Sequence, residues 1–375
     1  MKKAQILVAS VLLISAAFSF SGASAEEKNG GGEGKGNSNN QTQEFKGSGI
    51  RSHGHPILNL TDSAPNNSSQ SQNSYVSNDD ENSEMQWQQQ NKVNSKATAK
   101  ALGSAAANPI IYHSGGALGV YSGNIQVIPV WVGNWSAARQ AAWNAILGNL
   151  IRSLAGGSIN SSSHVFNTNL GYFNSNVPTL TWPDVISNSI PATGTIKNGL
   201  IQVSDANVAT YINSAISNSV ITVGAKPIYV YIGANNTRLS SGFGTAYCGW
   251  HSIGTLGARN IPFIAVQDFT STYIRSCAAQ SISPNNDAQL DAVASILVHE
   301  IDEAITDPDL GTWFDARGAE NADKCAWTFG TTTLNSNGAK YNFTANKFSY
   351  LIQRNWLADN KVKDTVAGTA CVVTN

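Results

Sequence analysis

The densest chemistry in the chain is the run His299-Glu300-Ile301-Asp302-Glu303. His299 and Glu303 are four residues apart, so on a helix both side chains project from one face at adjacent turns. This is the geometry by which H-E-x-x-H presents two ligands to zinc, with the intervening glutamate serving as base toward the bound water. Here Glu303 stands in place of the second histidine. A carboxylate ligates zinc at a similar distance, but it makes the site harder and more anionic. Zn2+ is therefore the expected ion, with Ca2+ or Mn2+ less easily excluded.

A catalytic zinc needs a third protein ligand and an open position. Glu320 follows Glu303 by 17 residues, similar to the spacing at which one class of metallopeptidases supplies a glutamate from a second helix. Asp323 is placed to orient a ligand from behind it. Asp307 competes with Glu320 as third ligand, as does His251 from a distant loop. Glu300 would accept a proton from the bound water, and His251 would help to stabilise a developing oxyanion. The opposing reading is an acidic helix end that is merely solvated. Against it, Glu300, Asp302, Glu303 and Asp307 crowd the negative end of the helix dipole. No Lys or Arg lies between Arg275 and Arg317 to neutralise them locally.

These residues need a helix to position them. Pro284-Asn285-Asn286-Asp287 reads as its start, with an Asn as cap and Asp287 near the positive dipole end. Pro308 disfavours helical geometry at Asp307, so the helix ends near Thr306. At about 100° per residue, Leu290, Val293, Ala294, Leu297, Ile301, Ala304 and Ile305 share an apolar face. Ala288, Ala292, Ser295, His299, Glu303 and Thr306 lie opposite.

Around that helix, Ile125 to Val132, Ile228 to Ile232 and Ile261 to Val266 read as buried strands. Trp135 to Leu154 has helical spacing, and Asp205 caps another helix through about Ser217. Alternating strands and helices predict an α/β fold with a mostly parallel or mixed sheet flanked by helices. The chain has four cysteines, and in an exported protein these read as two disulfides. Three pairings are possible. Cys248 with Cys277 and Cys325 with Cys371 is favoured because each closes a local loop or pins the C-terminus.

Export is expected from the N-terminus. Lys2 and Lys3 precede an apolar run from Ile6 to Phe20, and Ala23-Ser24-Ala25 supplies an A-x-A cleavage site, giving a signal peptide over residues 1–25. Residues 26–107 are rich in Gly, Asn, Ser and Gln and read as a disordered linker or propeptide. His53 and His55 within it read as incidental. Residues 108–375 form the expected folded domain. The net charge of -1 and charged fraction of 13% give no case for a nucleic-acid partner. No later apolar stretch is long enough to span a membrane. Oligomeric state is not legible. Ser295 lacks a nucleophile-elbow context, His113 and His164 have no partner pattern, and the tryptophans are first of all core material. Tyr247-Cys248-Gly249-Trp250-His251 lines a pocket or is a pinned loop.

The chain resembles the EXORDIUM, or phosphate-induced protein, family. The matching features are Tyr112-His113-Ser114-Gly115-Gly116, Asn124 to Trp131, Tyr247 to His251, Ile305-Thr306-Asp307-Pro308, and Cys325 with Cys371. Their order is more specific than any one of them. The resemblance implies a secreted, extracellular or wall-associated protein without an assigned reaction. This sequence departs from the plant pattern in carrying His299, Glu300 and Glu303, and looks more like microbial relatives with H-E-x-x-E. The leading expectation is a secreted metal-dependent hydrolase, a zinc peptidase acting on a peptide or cell-surface polymer, with His299, Glu303 and Glu320 on the metal. The alternatives are a non-catalytic extracellular protein with a structural ion, and a matrix or signalling protein with no metal.

Overall fold

The computed structural model describes residues 45–51, 108–152, 159–184, 187–365 and 367–374. The expected signal peptide, His53 and His55, and all of the segment 26–107 except 45–51 lie outside the described residues. Six strands form the main sheet: β1 (Phe45–Arg51), β2 (Asn124–Val132), β3 (Thr179–Thr181), β4 (Pro227–Gly233), β5 (Trp250–Leu256) and β6 (Arg259–Gln267). Their spatial order is β1-β5-β6-β4-β2-β3. Strands β6, β4, β2 and β3 run parallel, whereas β5 is antiparallel to both β6 and β1. The sheet is thus mixed and flanked by helices, as the alternation of elements predicts. All seven residues of β4 are buried, the signature of a strand covered on both faces.

The helices are α1 (Ala137–Trp143), α2 (Val208–Ser217), α3 (Ser271–Cys277) and α4 (Ala288–Thr306). Helix α2 packs across β1, β2 and β4, and α4 packs on β5 and β6. Alternation along a strand sends neighbouring side chains to opposite faces. Trp250 meets Phe263 edge-on within the aromatic layer, while the adjacent His251 points to the carboxylates of α4. No helix among the described residues is long and apolar enough to cross a membrane.

Four sequence expectations need correction. Residues Phe45–Arg51, inside the segment read as disordered, form β1 and pair with the edge strand β5. One aromatic anchors them: Phe45 is 2% exposed and contacts the rings of Tyr229 and Phe263, a burial that offsets the ordering cost locally even though the flanking composition cannot. The helix expected from Trp135 to Leu154 is interrupted by a π-helical turn at Asn144–Gly148. Gly148 there admits the indole of Trp182, since a Cβ would lie 2.7 Å from its ring. Asp205 is not at the cap position of α2, which is Asn207; it begins a 3-10 turn ahead of the helix and accepts a hydrogen bond from Tyr247 (2.8 Å). At α4 the cap is Asp287 itself rather than an Asn, accepting from the Leu290 N–H at 3.0 Å.

The favoured pairing of cysteines is the one formed, Cys248–Cys277 and Cys325–Cys371. Helix α4 differs from a two-faced helix in burying every residue from Ala292 to Thr306. A helix enclosed all round is the core of its domain, so the polar face read from the sequence meets protein rather than solvent.

Candidate metal centre

Three elements converge at the C-terminal half of α4. The helix supplies His299, Glu300 and Glu303. Strand β5 supplies His251, which is therefore a strand residue and not a loop residue. Directly before it, Gly249 lets the backbone press against α4, because a Cβ there would lie 2.9 Å from Glu300 Oε1 and 2.8 Å from Ile296. The Cys248–Cys277 bridge fixes this approach by tying the start of β5 to α3.

The third element carries Glu320 and Asp323. It is a loop followed by the 3-10 turn Asp323–Cys325, not a second helix. Asp315 holds it in shape. One of its oxygens accepts the backbone N–H groups of Arg317 (2.8 Å) and Ala319 (3.1 Å). The other binds the Lys324 ammonium at 2.7 Å and the Asn108 side chain at 2.5 Å. Lys324 also lies over the Trp356 ring, and Cys325 is bridged to Cys371. A loop tied at so many points presents its carboxylates at fixed positions.

The two oxygens of Glu303 face different partners. Oε1 lies 3.0 Å from His299 Nε2 and accepts the Asp323 backbone N–H at 3.1 Å. Oε2 lies 3.5 Å from His251 Nδ1, which is also 3.6 Å from Glu300 Oε2. On its other side, His251 Nε2 is 3.7 Å from Glu320 Oε1 and 3.3 Å from the Asp307 carbonyl oxygen. Asp323 Oδ1 stands 3.4 Å from His299 Nε2. One ligand atom each from His251, Glu303 and Glu320 lie within 4.8 Å of one another, and so do those of His299, Glu303 and Asp323. Glu303 is common to both groups. Glu320 is thus grouped with His251, and His299 with Asp323.

Asp307 stands outside both groups. Its Oδ1 accepts from the backbone of Gly311 (2.6 Å) and Thr312 (2.7 Å) and from the Thr312 hydroxyl (2.8 Å), so this carboxylate closes the turn after α4. Asp302 is likewise engaged, by Asn169, which also accepts from Asn321 and Asn355. This asparagine hub has no signature in sequence, since its partners come from three distant segments. His164 caps a 3-10 helix through its ring, and His113 stacks on Phe314.

Glu300 and Glu320 are 0% and 2% exposed, and neither accepts a hydrogen bond at either oxygen among the described residues. Burial drives the Glu300 carboxyl above its usual range against the pull of His251. It does so more strongly for Glu320, where Glu303, Asp307 and Asp323 add repulsion. Burial opposes charge on His251 too, but Glu300 and Glu303 together outweigh it and hold the imidazole up at about 10. His299 is raised in the same manner, mainly by Glu303 and Asp323. Glu303, by contrast, is pulled down by the two histidines in spite of its burial. Without an ion, protons on the histidines and on the raised carboxyls balance the cluster; neutral imidazole and ionised carboxylate are instead the forms that ligate a metal.

Comparison with known proteins agrees with this domain. The conserved region of phosphate-induced protein 1 matches residues 110–363. Protein EXORDIUM-like 3 of Arabidopsis thaliana is 24% identical over 298 residues, 69% of this chain and 84% of the plant protein. No solved structure matches the chain significantly. The family match spans strands β2 to β6, α4 and the loop that bears Glu320 and Asp323, and the chain belongs to the phosphate-induced protein 1, or EXORDIUM-like, family.

Proposed function

We propose that this chain is a non-catalytic, extracellular or cell-wall-associated member of its family, whose buried histidine–carboxylate cluster holds a structural metal ion. One observation carries the reading: Glu300 and Glu320 are shut away from water with no hydrogen bond, and only the His251 ring faces them, at 3.6 and 3.7 Å. Two buried ionised carboxylates that share one imidazole and make no hydrogen bond cost several kcal/mol, about what makes such groups pair or coordinate. A cation among His251, Glu303 and Glu320 removes that cost. Imidazole donors favour Zn2+, carboxylates admit Mn2+, and Ca2+ prefers an all-oxygen shell.

A hydrolytic zinc keeps one position open to water and substrate. Here His251, Glu300, Glu303 and Glu320 are each at most 2% exposed, so the group assigned as base in a peptidase faces no open cleft. Closed sites of this kind stabilise folds. The export signal, the two disulfides and the family support action outside the cell, where an ion with fixed ligands and two covalent bridges secure a polymer-facing domain.

The test is metal analysis of the full chain secreted from a bacterial host, followed by assay of the wild type and Glu300→Gln on a broad peptide library. The expected result is metal that survives dialysis, together with no hydrolysis by either protein. A metal-free chain would overturn the structural-ion reading. Hydrolysis that disappears in Glu300→Gln while the metal stays would establish the peptidase instead.

A further inference from the structure

We infer that the cluster is binuclear: Glu303 bridges two divalent cations, one held with His251 and Glu320 and the other with His299 and Asp323. This rests on the metal-binding reading above and fixes its stoichiometry.

The geometry separates the two positions. Around a tetrahedral ion with bonds of about 2.0–2.1 Å, neighbouring donors stand roughly 3.3 Å apart. On one side of Glu303, Oε2 is 3.5 Å from His251 Nδ1, while Glu320 Oε1 stands 3.7 Å from the other ring nitrogen, Nε2; one donor atom from each of the three lie within 4.8 Å of one another, a looser set that an ion would draw together. On the other, Oε1 is 3.0 Å from His299, and His299 is 3.4 Å from Asp323. Each oxygen of one carboxylate therefore faces its own imidazole, and a different second acid stands beside each imidazole. A carboxylate that offers one oxygen to each of two ions is the connection found in two-metal sites, where the ions sit about 3.5–4 Å apart.

Charge points the same way. Glu300, Glu303, Glu320 and Asp323 bring four negative charges when ionised, and the two imidazoles are neutral as ligands. One divalent ion leaves two of those charges uncompensated, whereas two ions leave none. No Lys or Arg among the described residues forms an ion pair with Glu300, Glu303 or Glu320. The unpartnered oxygens of Glu300 and Glu320, both fully enclosed, are a second sign that the donor set is larger than one ion consumes.

The positions differ in enclosure. Every ligand of the first is buried, whereas the Asp323 side chain in the second is 16% exposed. The second ion is accordingly the one that exchanges with solution.

Stoichiometry and magnetic coupling test this. The full chain is stripped with chelator, loaded with Mn2+, freed of excess ion, and measured by metal analysis and electron paramagnetic resonance. Two ions per chain with an exchange-coupled signal are expected, and Asp323→Asn should retain one ion with an isolated six-line spectrum. Asp323 is partly exposed, so this substitution spares the core, and the wild-type spectrum decides the matter even if the variant does not fold. One ion per chain in the wild type, or two without coupling, overturns the binuclear proposal while leaving the structural-ion reading intact. Zero ions overturns both.

Discussion

Helix α4 carries acids at both ends, half-buried at the first and enclosed at the last, and the two ends are neutralised by different means. At the first turn, Asp287 caps the helix and binds Arg139 at 2.5 Å. One turn on, Asp291 accepts hydrogen bonds from the Ser283 hydroxyl and from the side chain (2.6 Å) and backbone (3.2 Å) of Asn285. The positive end of the dipole assists both. At the other end Glu300 and Glu303 face the negative dipole end, and Glu320 is brought against them by a loop. Protein donors complete the first set; Glu300 and Glu320 make no hydrogen bond and share a single imidazole, that of His251. A polar group enclosed during folding must be satisfied from within, and where the fold withholds donors it leaves room for a ligand that the chain does not encode.

The sharpest way to break this contrast is to remove the ion. Bound ligand at a thousandfold excess over Kd stabilises by about 4 kcal/mol, so chelation should lower the midpoint of thermal unfolding by roughly 10 °C. Equal midpoints with and without chelator would refute ion-dependent stability. The same ion should be lost on acidification. In the metal-free chain His251 stays protonated up to about pH 10, so binding must displace its proton, and protons compete with the metal throughout the neutral and acidic range. Affinity measured by competition with a chromophoric chelator should therefore rise with pH; a pH-independent affinity would remove His251 from the ligand set.

A substitution sharpens the comparison by its change of sign. Glu320→Gln should destabilise the loaded protein by about 3–5 kcal/mol, the usual cost of breaking a buried charged set. In the chelated protein it should stabilise, because a neutral amide relieves repulsion from Glu303 and Asp323. Denaturant unfolding with and without metal reads both values. The same sign in both conditions would show that Glu320 is an ordinary buried residue. At the opposite end Asp291→Ala leaves Ser283 and Asn285 without their acceptor and should cost about 1–3 kcal/mol. That loss should be identical in loaded and chelated protein.

Periodicity made α4 legible to its last turn, because Leu290, Val293, Leu297 and Ile301 repeat along one stripe and Pro308 stops it. The β-branched runs located β2, β4 and β6 for the same reason. Long-range partnership was less readable. His251 reaches α4 only because β5 is the antiparallel strand beside β6. A signal for it existed, since Leu256-Gly257-Ala258-Arg259 joins two apolar runs across two residues, a hairpin pattern. That hairpin puts His251 on a strand. Asn169 could not be found in this way, because it gathers Asp302, Asn321 and Asn355 from separate segments. β1 escaped because composition averages over a window, whereas pairing to a sheet edge needs backbone groups and one aromatic, Phe45.

The smallest expected effects divide Asp287 into its two roles. Asp287→Asn keeps a good capping oxygen but removes the charge facing Arg139. That pair is partly exposed, at 21% and 24% of the side chains, so its loss should cost less than about 1 kcal/mol and fade in high salt. Arg139 also retains Asp268, at 2.6 Å, which reduces the loss further. Asp287→Ala removes the cap as well and should cost about 1 kcal/mol more, independent of salt. Unfolding in urea at low and high ionic strength measures the two increments. If the Asn variant were as unstable as the Ala variant, the ion pair rather than the cap would hold this end of the helix. The contrast between donor-satisfied and ion-satisfied ends would then become one between a fixed protein cation and a bound metal cation.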